Sequence, residues 1–296
     1  VGLDEYAQVR PSLALRPFVG FYSGYRQAGI APARHRGLPS PYLTLIFTMD
    51  DPLEVAVHPD PRQRPGRYDA LIGGLHLTPA VITHPGRQSG VQVALRPLGC
   101  RALFGLPAAE LVGADLHASD VLGDPWVAEV RERLLSAPDW PSRFAAVDNA
   151  LRRRLHDNPP QIKPEIVYAC SRLLDDPVAT AATIIERHPL AGGGGAVGPS
   201  GGAVADVAAE VGWSARYLTD RFRAEVGLRP KEAARVARFD RARRALKPGT
   251  RLADVAAVHG FADQSHLVRE FHAFAGCSPT AWLADELDLI ESLRHL

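Results

Sequence analysis

The chain repeats itself. Asp206–Trp213, DVAAEVGW, recurs as Asp254–Phe261, DVAAVHGF, at a constant offset of 48, and past one inserted residue Leu218, Phe222, Gly227 and Pro230 recur as Leu267, Phe271, Gly276 and Pro279 at an offset of 49. Each unit reads as a short Ala-rich helix, a Gly where a positive φ is cheap, a polar start and a second helix of about three turns. Two helices joined in this way form a helix-turn-helix. The aromatic after each Gly, Trp213 or Phe261, is suited to fill the angle between them.

Helical geometry then divides the second helix of each unit. At about 100° per residue Leu218 and Phe222 share one side, while Arg216, Thr219, Asp220 and Arg223 gather on the other. In the second unit Leu267 and Phe271 are the buried equivalents, and Ser265, Val268, Arg269 and His272 form the opposite face with Gln264 in the first turn. Arg can donate two hydrogen bonds to guanine, Gln can pair with adenine, Ser and Thr are adaptable, and Val can meet a thymine methyl. Between the units, Pro230–Leu246 carries an apolar stripe of Val236, Phe239, Ala242 and Leu246 and is bounded by Pro248 and Gly249. It is expected to be one rigid helix of roughly 24 Å, which holds two recognition helices in neighbouring major-groove segments about 34 Å apart once side-chain reach is added.

Charge agrees with that placement. The whole chain carries a net charge of only +1, yet residues 216–251 hold 12 Lys and Arg against 4 acids. Such a block is either a solvated helical face or an electrostatic footprint for nucleic acid.

The segments GWSARYLTDRFRAEVGLRPKEAARVARFDRARRAL and LADVAAVHGFADQSHLVREFHAFAGCSPTAW resemble the C-terminal domain of AraC/XylS-type transcriptional regulators, with GFADQSHLVREF and GCSP the most specific stretches. The resemblance implies a unit that inserts both recognition helices into one face of double-stranded DNA, with Arg216, Thr219 and Asp220 near bases in the first helix and Gln264, Ser265, His266 and Arg269 in the second. Arg223 joins the first set by geometry, and Arg244 on the linker helix is expected to contact phosphate. Asp220 departs from the Arg that members often carry there, and a carboxylate can only accept from cytosine N4 or repel phosphate.

The first half has another texture. Phe18 to Arg96 runs through short β-branched and aromatic stretches broken by Pro and Gly, which read as strands of an antiparallel sandwich or barrel. After Pro97 helix formers take over. At 296 residues the chain has room for about two domains. The expected fold is α+β: a β-rich, cupin-like or sandwich domain with following helices over 1–156, which binds an effector and dimerises, then a helix and a flexible loop over 157–202 containing seven glycines between 191 and 202, an all-α DNA-binding domain of two helix-turn-helix units at 203–284, and a tail helix at 285–296.

HRGLPSPYLTLIFTMDDPLEV and HPGRQSGVQVALRPLGCRALFGLPAAELVG resemble the β-rich sensor domains that precede this type of DNA-binding domain. His35, His76, His84, Gln88 and Gln92 are candidates to line an effector pocket, since such pockets are apolar with a few oriented polar groups; alternatively they are sheet-edge and turn residues. Trp126, Val130 and Leu134, with Phe144, Val147 and Leu151, form apolar stripes that point to a homodimer. The glycines at 191–202 suggest that the two halves are loosely connected, with an effector changing domain or subunit arrangement and leaving the recognition helices unchanged.

Other classes do poorly. No GxSxG elbow, P-loop or GxGxxG after a strand occurs, and the four glycines at 192–195 lack the following Lys-Ser/Thr of a phosphate cradle. His76 and His84 belong to no HExxH or GxHxH cluster, so neither a catalytic residue, a metal site nor a cofactor is expected. The alternatives are a DNA-repair enzyme carrying the same DNA-binding domain, for which Cys100, Cys170 and Cys277 offer no zinc cluster, and an effector-independent regulator. The three distant cysteines fit a reducing cytoplasm, neither signal peptide nor membrane span is read, and RNA polymerase is a further candidate partner.

Overall fold

The computed structural model describes residues 3–155, 162–174 and 204–285. Strands β1 (Leu3–Val9), β2 (Val19–Ala28), β9 (Arg87–Leu95), β4 (Leu43–Thr48), β7 (Ala70–Gly73) and β10 (Asp115–His117) lie side by side in that order in one sheet. A smaller sheet runs β3 (Ala33–Gly37), β8 (Ala80–His84), β5 (Leu53–Val57) and β6 (Gly66–Tyr68). Every pairing is antiparallel.

Alternation gives the large sheet two working faces. Leu43, Leu45 and Phe47 of β4 and Val91, Val93 and Leu95 of β9 enter the main core. Ile46 and Leu71 point the other way, where they cluster with Leu53, Val55, Tyr68 and Ala80. The two sheets therefore pack face to face around a second, smaller core, which is the expected sandwich.

Helices α1 (Gly99–Phe104), α2 (Ala118–Leu122), α3 (Asp124–Ser136) and α4 (Trp140–Arg154) cover the remaining face. Asp139 caps α4 by accepting from the Ser142 N–H at 2.8 Å, and Phe144 stacks on Tyr22 of β2 with centroids 6.3 Å apart. Val130, Leu134, Phe144, Val147 and Leu151 are buried in the main core, and Trp126 lies 6.0 Å from the Phe47 ring. This corrects the ground for the dimer expectation. The small sheet covers only one face of the large one, so the helices' apolar stripes belong to the other face and offer nothing for a twin subunit to cover.

The C-terminal half is helical: α5 (Pro164–Leu174), α6 (Val204–Glu210), α7 (Ala215–Val226), α8 (Pro230–Ala245), α9 (Leu252–Val258), α10 (Gln264–Ala275) and a final helix over 279–285. Ile166, Ala169, Cys170 and Leu173 of α5 join its core, and Glu210 at the end of α6 accepts from Tyr168 at 2.8 Å and Arg172 at 3.1 Å. The packed helical unit thus takes in α5, which lies within the stretch 157–202 expected to hold a helix and a loop. Of the expected elements, the glycine-rich stretch at 191–202 and all but the first residue of the tail helix lie outside the described residues.

The halves are docked and not loosely strung. Arg101 of α1 pairs with Glu225 of α7, Arg36 of β3 with Asp285 at 2.5 Å, and the Arg244 guanidinium lies 5.5 Å from the Phe21 ring. A linker's composition reports the connecting chain alone, whereas these contacts run between folded surfaces.

Candidate nucleic-acid interface

Both units form as the repeat implies. Gly212 and Gly260 turn the chain at φ +71° and +73°, positions that favour Gly because a Cβ would crowd the backbone. The next helix is capped in each case: Ser214 accepts from Tyr217 N–H at 3.2 Å, and Asp263 from His266 N–H at 2.6 Å. Leu218, Phe222, Leu267 and Phe271 are fully buried and fix the rotation of α7 and α10. Phe261 is buried beside them, and Trp213 is partly buried against the same core.

The opposite faces are open. Arg216, Asp220 and Arg223 on α7 and Gln264, Ser265, Arg269 and His272 on α10 are exposed, with Thr219 and Val268 half-buried at the margins. Among the described residues no hydrogen bond or ion pair engages the side chains of Arg216, Arg223, Gln264, Ser265 or Arg269. Thr219 Oγ1 donates back to the Ala215 carbonyl at 2.8 Å. His266 is turned away from its companions: its Nδ1 accepts from Ala262 N–H at 3.2 Å and its ring sits edge-on to Phe261, 5.4 Å away. That geometry makes it part of the turn.

The linker helix behaves differently from its charge count. Arg235 pairs with the buried Glu270 at 2.6 Å, Arg238 stacks 4.8 Å from Phe261, and Arg243 and Arg244 both reach the buried Asp240 at 2.7 Å. Much of the basic block is therefore neutralised within the domain, whereas Arg216, Arg223 and Arg269 on α7 and α10 are left open. Arg244 in particular faces Phe21 of the β-domain.

The effector candidates separate into two groups. Gln92 lies opposite Ile46 in the sheet register and so faces the small sheet, as does Gln88 four residues earlier. His84 shares the inward face of β8 with Ala80, and His35 lies opposite Ile82 on that face. These four residues line the space between the sheets. The His35 and His84 rings are 6.2 Å apart, and His35 Nδ1 and His84 Nε2 are buried without a hydrogen-bond partner. Burial, with His84 beside it, lowers the His35 pKa to about 4, and burial lowers that of His84 as well. Gln88 donates to Gln27 at 2.6 Å and Gln92 to Thr44 at 3.4 Å. His76 is elsewhere, bonded to the Thr78 carbonyl in the loop before β8.

Sequence reasoning missed Gln27 and Thr44 in that space, although period-two alternation along β2 and β4 carries the signal. It also missed a buried pair, His58 Nδ1 to Asp115 Oδ2 at 2.6 Å, beside the Tyr68 ring. That pair leaves no local pattern, because its members are 57 residues apart.

Residues 207–285 match the family model described as "Helix-turn-helix domain", and residues 7–117 match one described as "Domain of unknown function (DUF6597)". No curated protein matches the chain by sequence. Among solved structures, ToxT from Vibrio cholerae is similar over 96% of this chain and 98% of that one, at 9% identity and a TM-score of 0.49. A ToxT structure from strain SCE256 described as bound to an unsaturated fatty acid aligns over 95% and 94%, at 9% identity and a TM-score of 0.48. A DNA-binding transcriptional dual regulator from Escherichia coli K-12 aligns over 44% of this chain and 98% of its own, at 18% identity and a TM-score of 0.29. Likenesses this distant do not bear on what the chain binds. With the duplicated unit, its capped recognition helices and the matching family model together, residues 207–285 are a helix-turn-helix domain of the AraC type, carried behind a β-rich domain.

Proposed function

We propose that the protein is a sequence-specific DNA-binding transcription regulator that responds to a small-molecule effector. The observation that carries this is the split in its arginines. Arg235, Arg238, Arg243 and Arg244 on the linker helix are engaged by Glu270 and Asp240, while Arg216, Arg223 and Arg269 stand unengaged on the outward faces of two recognition helices. A scaffold that only needed solvated charge would not distinguish these positions. The base-reading set is Arg216, Thr219, Asp220 and Arg223 with Gln264, Ser265 and Arg269. The effector would lie between the sheets, where His35, His84, Gln88 and Gln92 present hydrogen-bonding groups beside Ile46 and Ile82.

A repair enzyme is the weaker reading. Burial pushes the Cys100 and Cys170 thiols up, away from the thiolate that alkyl transfer needs.

The test is to select duplexes from a random pool with the full-length chain and compare them with random DNA by fluorescence anisotropy across a salt series. The expected preference is at least about 10³-fold, as for specific regulators. The log–log salt slope should be near about −4, the value for four to five phosphate contacts. Equal affinity for selected and random duplexes would overturn the reading.

A further inference from the structure

A basic and aromatic cluster stands beside the first recognition helix, and the repeat does not account for it. Lys163, the residue before α5, places Nζ 3.3 Å from the Tyr217 hydroxyl, and Arg221 places Nε 3.2 Å from the same oxygen. Lys163 Nζ also lies 5.6 Å from the Trp213 ring, and Trp213 meets Tyr217 edge-on at 4.8 Å. Tyr217 and Lys163 are exposed. Hydrogen bonds from Arg221 and then Lys163 lower the Tyr217 pKa. Among the described residues no carboxylate pairs with either cation.

We propose that Lys163, Tyr217 and Arg221 form a clamp for the DNA phosphates that flank the groove read by α7. This rests on the regulator reading above and extends its DNA surface to a residue outside the helix-turn-helix repeat.

Position is the first argument. On a helix turning about 100° per residue, Tyr217 and Arg221 lie together on the shoulder of the face made by Arg216, Asp220 and Arg223. A helix about 10 Å across fills a major groove about 12 Å wide, so its shoulders meet the phosphate rims and its face meets the bases.

Charge is the second. Two cations converge on one phenol oxygen without an acid to balance them. A phosphate oxygen at that point would accept from the ammonium, the guanidinium and the phenol O–H together, and condensed cations would leave the DNA.

Comparison within the chain is the third. At the repeat offset, Tyr217 corresponds to His266, which is tied into its turn, and Arg221 to Glu270, a buried acid held by Arg235. The second unit folds without the cluster, so a helix-turn-helix does not require it.

The experiment uses the full-length chain with a selected duplex and a random duplex of equal length, each titrated across a salt series, for wild type, Lys163→Gln, Arg221→Gln and Lys163→Arg. Each neutral variant should reduce the magnitude of the salt slope by about 0.9 and weaken both duplexes alike, by about five- to tenfold. Lys163→Arg should retain the wild-type slope. An unchanged slope in Lys163→Gln, a loss confined to the selected duplex, or failure of Lys163→Arg equal to that of Lys163→Gln would overturn the clamp while leaving the regulator reading intact. Absence of DNA binding by the wild-type chain would overturn both.

Discussion

Arg101 on α1 donates from Nε to both carboxylate oxygens of Glu225 at the C-terminal end of α7, at 2.6 and 2.8 Å. Glu225 is 9% exposed, so the acid depends on this guanidinium for its solvation. The contact joins the helix that directly follows β9, a wall of the inter-sheet space, to the second helix of the first helix-turn-helix unit. Coupling between the domains thus has a physical point of attachment on the first recognition helix.

Breaking that pair strands a buried charge. Arg101→Ala should destabilise the protein by about 2 to 3 kcal/mol, and Glu225→Gln by less, because an amide tolerates burial better than a lone carboxylate. A double-mutant cycle by thermal unfolding checks this. Additive single effects would mean that the pair contributes nothing to docking.

Arg269 and Arg244 should respond differently to removal. Arg269→Ala should cost about 1 to 3 kcal/mol on the selected site and relax preference at one or two base pairs, because only a base-edge contact carries sequence information. Arg244 was expected from the sequence to hold phosphate, yet it is bound to Asp240 and stacked beside Phe21. Arg244→Ala should therefore lower thermal stability and leave the salt slope unchanged. A drop of about one in that slope would return Arg244 to the phosphate set.

How much of this was legible in the sequence follows from the range of the causes. The double unit, its turn glycines and the buried pair on each second helix were readable because each is set within a few residues. The linker helix was placed to within one residue at its C-terminal end. The fate of the apolar stripes on α3 and α4 was not, since it depends on which face of a distant sheet stays uncovered. Nor could the charge of Arg235 or Arg238 be discounted, because their acid, Glu270, is identified only once the helices pack; Asp240, three and four residues before Arg243 and Arg244 on the same helix, was within reach of the sequence. His76 was grouped with His84 on residue type alone, and the strand register separates them.

The β-domain should be sensitive to mild acid through His35. Its usual pKa of 6.5 falls to about 4 on folding, so between those values the unfolded chain holds the extra proton. The stabilising contribution is complete above about pH 6.5 and is lost as the pH falls through 4, on the order of 3 kcal/mol for this shift. His84 moves in the same direction. Thermal melts at steps through that window should fall more steeply for wild type than for His35→Leu. Parallel curves would show that His35 titrates alike in both states.

Gly227 and Gly276 are equivalent in the repeat and cap α7 and α10 with φ of +91° and +71°. Sequence assigns them one role, yet their surroundings differ. A Cβ at Gly276 meets nothing within 4 Å, whereas one at Gly227 would lie 2.1 Å from Val112 Cγ2 and 2.8 Å from Ala109 Cα. Gly276→Ala should thus cost only the left-handed backbone strain, about 1 to 2 kcal/mol. Gly227→Ala adds a collision with the β-domain and should either cost several kcal/mol or part the two domains, visible as faster proteolysis between them. Adding Val112→Ala should recover only part of the loss, because the Ala109 backbone stays in place. Equal costs at the two glycines would mean that the domains do not meet at Gly227 in solution, and the attachment through Arg101 and Glu225 would then lose its neighbouring support.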